Sequence, residues 1–212
     1  LMGLFLSEML ETTTTIIFSP NNALQRVWKD TLDTRYHNTP SYYIYGGNKE
    51  PTGKERYLVF NHENLKFAFE TLKKVIKKGT KINVIVDECH AFNEMKSDRT
   101  KLLIEICNYL NCQETLFMSG TPFKALGAEI LPFLWIADPY FNANTEERFK
   151  KIFGNNGARS LDILSARIGR SSFSVEKDLI IQNKRYEIDL KVTLDNGHEY
   201  TMSAIRKKME TF

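Results

Sequence analysis

Two adjacent carboxylates, Asp87 and Glu88, close a short apolar run, Val84-Ile85-Val86, and are followed by Cys89 and His90. A β-branched run of that length bounded by polar residues reads as a strand buried on both faces, as in a parallel sheet. In open α/β sheets the reactive groups sit just past the carboxyl ends of the strands, where Asp87 and Glu88 fall. Neighbouring acids at such an edge suit metal–phosphate chemistry, because one can hold Mg²⁺ while the other handles a water. For a bare Asp-Glu pair, a capped strand end leading into a loop is the more common explanation. A second apolar strand, Leu116-Phe117-Met118, favours the chemical reading, since it ends in Ser119-Gly120-Thr121-Pro122 and brings hydroxyls to the same edge.

The elements that must hold these groups alternate in type along the chain. Leu1–Leu10 is apolar and proline-free and predicts a buried helix. Thr14–Phe18 predicts a strand, stopped by Ser19-Pro20-Asn21-Asn22, with Ser19 or Asn21 available to cap the next helix. On that helix Leu24, Val27 and Trp28 share one face, which gives Trp28 a packing role. The aromatic Tyr42–Tyr45 predicts another strand, ended by Gly46-Gly47. Tyr57–Phe60 is the next, with Asn61 capping a helix that runs to Gly79 along Leu65, Ala68, Phe69, Leu72, Val75 and Ile76. Ser97 caps a helix through Leu110, whose inner stripe includes Cys107. Beyond Thr121 come an apolar stretch with Trp135, a helix over Thr145–Phe153, a strand over Tyr186–Leu194 and a helix over Tyr200–Met209.

The bulk numbers narrow the class. With 212 residues, 42% hydrophobic and 26% charged, the chain has the make-up of an ordinary globular protein. The net charge of +3 is too small for a global polycation, so any nucleic-acid site has to be a local patch. Cys89, Cys107 and Cys112 form no CxxC pair and give no metal-ligand spacing with His90, which fits a reducing compartment. No run approaches membrane-spanning length and no basic leader precedes it, so a soluble intracellular protein without a membrane partner is expected.

In its two boxes the sequence resembles the superfamily-2 helicases: Asp87-Glu88-Cys89-His90 looks like their Walker B box, and Ser119-Gly120-Thr121-Pro122 looks like their third motif. The wider pattern is similar to the Swi/Snf-type branch of DNA translocases. Within it, Ser19-Pro20-Asn21-Asn22 before a Trp-bearing helix, and Asn61-His62-Glu63, resemble loops that touch the DNA backbone. Arg167-Ile168-Gly169-Arg170 resembles an arginine-bearing segment of that branch. The resemblance implies a RecA-like lobe, a mainly parallel sheet with helices on both faces, over residues 1–165, and an extension over 166–212 leading to a second lobe.

It also implies ATP and Mg²⁺ as ligands and DNA as a sequence-independent partner. Asp87 would hold the metal through water, Glu88 would be the general base, and His90 would report to Ser119 and Thr121. The departures from the family pattern count as well. No Gly-x-x-x-x-Gly-Lys-Ser/Thr occurs, Gly53-Lys54 included, so the piece alone is expected to hydrolyse ATP only at background. A non-catalytic docking lobe and an RNA helicase lobe are the alternatives. Glu88 speaks against the first and the Trp135 region against the second.

Overall fold

The computed structural model describes residues 2–10, 12–34, 41–47, 49–112, 114–121, 127–154, 158–172, 191–193 and 199–201. Two compact units divide the chain, Leu1–Arg170 and Ser171–Phe212.

The first unit is built on five strands: β1 (Thr14–Ser19), β2 (Tyr42–Ile44), β3 (Tyr57–Asn61), β4 (Ile82–Asp87) and β5 (Glu114–Met118). They form one sheet in the order β2-β3-β1-β4-β5, and each of the four pairings is parallel. Parallel neighbours need crossover connections, so helices come to cover both faces. The central strands are accordingly inaccessible, and β1 and β3 are buried at every residue, Thr14, Thr15, Ser19 and Asn61 included.

Alternation of side chains along the strands divides the core in two. Ile16, Phe18, Leu58, Phe60, Val84 and Val86 face α4 (Leu65–Val75) and α5 (Asp98–Leu110). Ile17, Tyr57, Val59 and Ile85 pack on the other side with Leu4 of α1 (Met2–Met9) and with Leu24, Trp28 and Leu32. Arg56 fastens α1 to the sheet through the carbonyls of Ser7 (2.8 Å) and Thr12. α6 (Leu131–Ala137), α7 (Ala143–Phe153) and α8 (Ala158–Ile168) complete the unit. Asn142 caps α7 in a capping box with Thr145, which starts the helix two residues before the sequence expectation. α8 was not anticipated. In the second unit Lys191–Thr193 (β6) pairs antiparallel with Glu199–Thr201 (β7).

Several local expectations are corrected. The helix after β1 consists of α2 (Asn21–Ala23), a π-helical turn (Leu24–Lys29) and α3 (Asp30–Thr34). Its N-cap is Pro20, without a side-chain bond, so neither Ser19 nor Asn21 caps it. The wider turn takes Val27 off the buried face, to 50% exposure, while Leu24 and Trp28 stay inside. Asn61 ends β3 and accepts the Glu63 N–H (2.8 Å), while Asn64 takes the cap position of α4. That helix stops at Val75, short of Gly79. Tyr200 and Thr201, both β-prone, lie in β7 instead of opening a helix; residues 202–209 of that expected helix lie outside the described residues.

Candidate active site

Register brings the singled-out residues to one edge. Ser19 lies beside Asn61 in the β1–β3 ladder, and Asp87 lies beside Met118 in the β4–β5 ladder, so Ser119 follows at the next position. Phe18 pairs with Val86, which sets Ser19 next to Asp87. Four strand ends thus contribute Asn61, Ser19, Asp87 and Ser119 in spatial order.

At the end of β4 the backbone turns sharply. Glu88 has φ 49° and ψ 49°, the left-handed region, and Cys89–Phe92 continue as a 3-10 turn. A non-glycine residue in this region costs about 1–2 kcal/mol, and such outliers concentrate at functional sites. The turn sends successive side chains in opposite directions. Cys89 is 2% exposed, and burial pushes its thiol up to about 12, with the Glu88 carboxylate adding to the effect. It is packing, with no nucleophilic use at neutral pH. The side chains of Glu88 and His90 point to solvent instead, 48% and 43% exposed.

Those two side chains meet Ser119. His90 Nδ1 lies 3.2 Å from Glu88 Oε2 and 3.0 Å from Ser119 Oγ. The Ser119 hydroxyl donates to Glu88 Oε2 at 3.4 Å. With its one proton directed there, Ser119 accepts from His90 and from the Thr121 N–H at 3.1 Å. Thr121 therefore joins the cluster through its backbone. Gly120 sits between them in open space. Pro122 lies outside the described residues.

Asp87 belongs to a different network. Its Oδ2 accepts the Ser19 hydroxyl (2.9 Å) and the Trp28 indole N–H (3.1 Å), and its Oδ1 accepts the Glu88 N–H (3.1 Å). Trp28 Nε1 also donates to Ser19 Oγ at 2.8 Å. A carboxylate has about four lone-pair positions, so one on Oδ1 is left open. Among the described residues no group of three or more His, Cys, Asp and Glu could enclose a cation. One carboxylate with one open position fits a Mg²⁺ ion that keeps most of its waters, which is how that ion is held beside phosphates. Trp28 is the side chain at Asp87 that periodicity alone hid, because an indole on an apolar face reads as packing. The polar Ser19 one strand away was the available signal.

The loops expected to touch a nucleic-acid backbone are arranged differently from one another. Ser19 is fully buried and Asn61 is 3% exposed, whereas Asn21, Asn22 and Glu63 are at the surface. His62 is 5% exposed and stacks edge-on against Phe92, with ring centroids 5.4 Å apart. Neither of its ring nitrogens has a hydrogen-bond partner among the described residues. Burial, then the positive charge of Arg99, lowers it to about 4, so it is neutral at physiological pH. An open cleft of about 230 Å³ lies against it, bordered by Asn64, Lys66, Asp98 and Arg99. Arg167 lies in the last turn of α8 and Arg170 in the turn that follows it.

Among the described residues no helix is long and apolar enough to cross a membrane. The family profile described as "Type III restriction enzyme, res subunit" matches residues 2–124. No curated protein matches the chain. Among solved structures, the chain is similar to the SWI2/SNF2 ATPase core of Sulfolobus solfataricus in complex with double-stranded DNA, with 16% identity and a TM-score of 0.60. The match covers 79% of this chain and 34% of that one, so the chain spans about a third of its length. At that identity the likeness shows the fold, a RecA-like α/β lobe.

Proposed function

We propose that this chain, which belongs to the type III restriction enzyme res subunit family, is part of an ATP-driven DNA translocase of the Swi/Snf type. One observation carries the reading: Asp87 and Glu88 are adjacent in sequence yet sit in separate hydrogen-bond networks. Asp87 is fixed on Oδ2 by two buried donors. Glu88 projects into solvent from a left-handed turn, with His90 and Ser119 on one oxygen. That is the division of labour phosphoryl transfer requires, one carboxylate for the metal and one for the attacking water.

Asp87 would hold Mg²⁺ through water, and the ion would supply positive charge to offset the phosphates. Glu88 accepts a proton from the nucleophilic water, a role worth about 10²–10⁴ in rate. His90 and Ser119 orient the Glu88 carboxylate and connect it to the end of β5. The sequence has no phosphate-cradling glycine loop, so in this reading the phosphates are held by groups these 212 residues do not contain. DNA is held through its backbone at the exposed residues Asn21 and Asn22, in the first turn of the helix after β1, where the first N–H groups of a helix can meet phosphate. The matched ATPase core was solved with duplex DNA, and this supports DNA over RNA as the partner. A second lobe of the same protein closes on this edge.

The test is ATP hydrolysis by the full-length protein with and without duplex DNA. DNA should stimulate it, Glu88→Gln should abolish turnover while leaving nucleotide binding intact, and Asp87→Asn should weaken Mg²⁺-dependent binding. Equal loss of affinity in both variants, with turnover surviving in Glu88→Gln, overturns the assignment. DNA binding without any hydrolysis leaves a docking lobe.

A further inference from the structure

Trp28 stands 59 residues from Asp87 in sequence and is 3% exposed, yet its indole reaches the carboxylate. It lies within the π-helical turn Leu24–Lys29, and π turns are frequent at functional sites. An indole N–H is donor only. Lying 2.8 Å from Ser19 Oγ, it occupies an acceptor position of that hydroxyl and leaves the hydroxyl proton directed at Asp87 Oδ2, 2.9 Å away. The same N–H also reaches Oδ2 itself at 3.1 Å. Ser19 is fully buried, so no water competes for either bond.

We infer that Trp28 is a positioning residue which, through Ser19, saturates Asp87 Oδ2 and so selects a hydrated Mg²⁺ over cations that take a carboxylate directly. The inference rests on the proposed metal role of Asp87. With Oδ2 saturated and Oδ1 holding the Glu88 N–H, Asp87 has no pair of oxygens free to chelate. A cation such as Ca²⁺, which takes carboxylates bidentate at flexible geometry, is disfavoured; Mg²⁺, which gives up its waters reluctantly, is accommodated. Removing the indole N–H frees the Ser19 hydroxyl to rotate and returns a lone pair to Oδ2. A plain core tryptophan, whose N–H merely finds an acceptor on burial, makes the same bonds but sets nothing at the metal.

Nuclear magnetic resonance of this 212-residue chain separates the two, because Trp28 and Trp135 are its only indoles. Titration with Mg²⁺ alone should move the Trp28 indole N–H signal and leave that of Trp135, bonded to Glu146, in place. Asp87→Asn should abolish the movement, and Ca²⁺ should produce less of it. Trp28→Phe should then raise the Mg²⁺ half-saturation of ATP hydrolysis in the full-length protein by about 10-fold, the usual effect of losing an outer-shell partner, with a smaller change in kcat. Ser19→Ala should act in the same direction and serves where Trp28→Phe does not fold. A Trp28 signal indifferent to Mg²⁺, or a Mg²⁺ dependence unchanged in a folded Trp28→Phe or Ser19→Ala protein, overturns the inference. A Trp28 signal that responds to Mg²⁺, when the full-length protein hydrolyses no ATP with or without DNA, overturns the translocase reading and leaves this one standing.

Discussion

His62 offers a quantitative check on the structure, because its burial has a pH signature. In the unfolded chain its imidazole titrates near 6.5; in the folded chain burial and the Arg99 charge hold it to about 4. Above 6.5 both states are neutral and the histidine contributes no pH dependence. Between 6.5 and 4 the unfolded state binds the proton and the folded state does not, so stability must fall as the pH falls through that window. At about 1.4 kcal/mol per pH unit the ceiling is about 3 kcal/mol, and at pH 5 the loss is about 2 kcal/mol.

His62→Leu removes the titrating group at similar volume. Both ring nitrogens lack protein partners among the described residues, so no hydrogen bond to the protein is lost with the ring, and the variant should stay within ~1 kcal/mol of the parent at pH 7.5. Urea unfolding at pH 7.5 and pH 5.0 then gives the comparison. The parent should lose about 2 kcal/mol more than the variant, a midpoint difference of about 1 M for a urea slope of 1–3 kcal/mol/M. Glu55 and Glu146 are held below the usual carboxylate range in both proteins, so their contributions cancel in the comparison. Parallel losses in parent and variant would refute the burial argument. They would also restore His62 as a candidate cation at the DNA backbone, a role its neutral, buried ring does not support.

Two further outcomes are expected. In the full-length protein His90→Ala and Ser119→Ala should each reduce the DNA stimulation of ATP hydrolysis, and the double variant should be little worse than either single, because both contacts converge on Glu88 Oε2; simple addition of the two losses would show separate roles. Asn142→Ala removes the side chain that accepts the Asn144 and Thr145 N–H groups at the start of α7, and should lower stability by about 1 kcal/mol by thermal or urea melts, with no effect on nucleotide or DNA binding.

The sheet was legible because parallel strands announce themselves. Val84–Val86 and Leu116–Met118 are apolar on consecutive residues, and a polar break marks where each one ends. The shared edge of Ser19, Asn61, Asp87 and Ser119 followed from those breaks, since strands running the same way put their ends together. What pattern could not show was the pairing of groups across strands. Thr121 was expected to meet His90 through its hydroxyl, but the bend at Gly120 presents its backbone N–H to Ser119 instead. His62 looks like a loop histidine because polar neighbours surround it in sequence. Its burial comes from Phe92, thirty residues on, which no local signal predicts.

Trp28 is the most instructive case. A spacing of four from Leu24 places it on an apolar face in any right-handed helix, and that much was read from the sequence. Whether its N–H points at a core carbonyl or at the Asp87 carboxylate depends on the helix type. A regular α-helical turn would have kept Val27 on the buried side, where the sequence placed it; the π turn exposes Val27 and swings the indole towards β4. One extra residue per turn is enough to make the same tryptophan both core and a hydrogen-bond partner of Asp87. Nothing in its spacing distinguishes the two, because propensity hardly differs between α and π turns. The distinguishing feature is a buried serine at a strand end with no polar neighbour of its own in sequence. Such a serine needs donors and acceptors from elsewhere in the fold, and here it finds the tryptophan on one side and the carboxylate on the other.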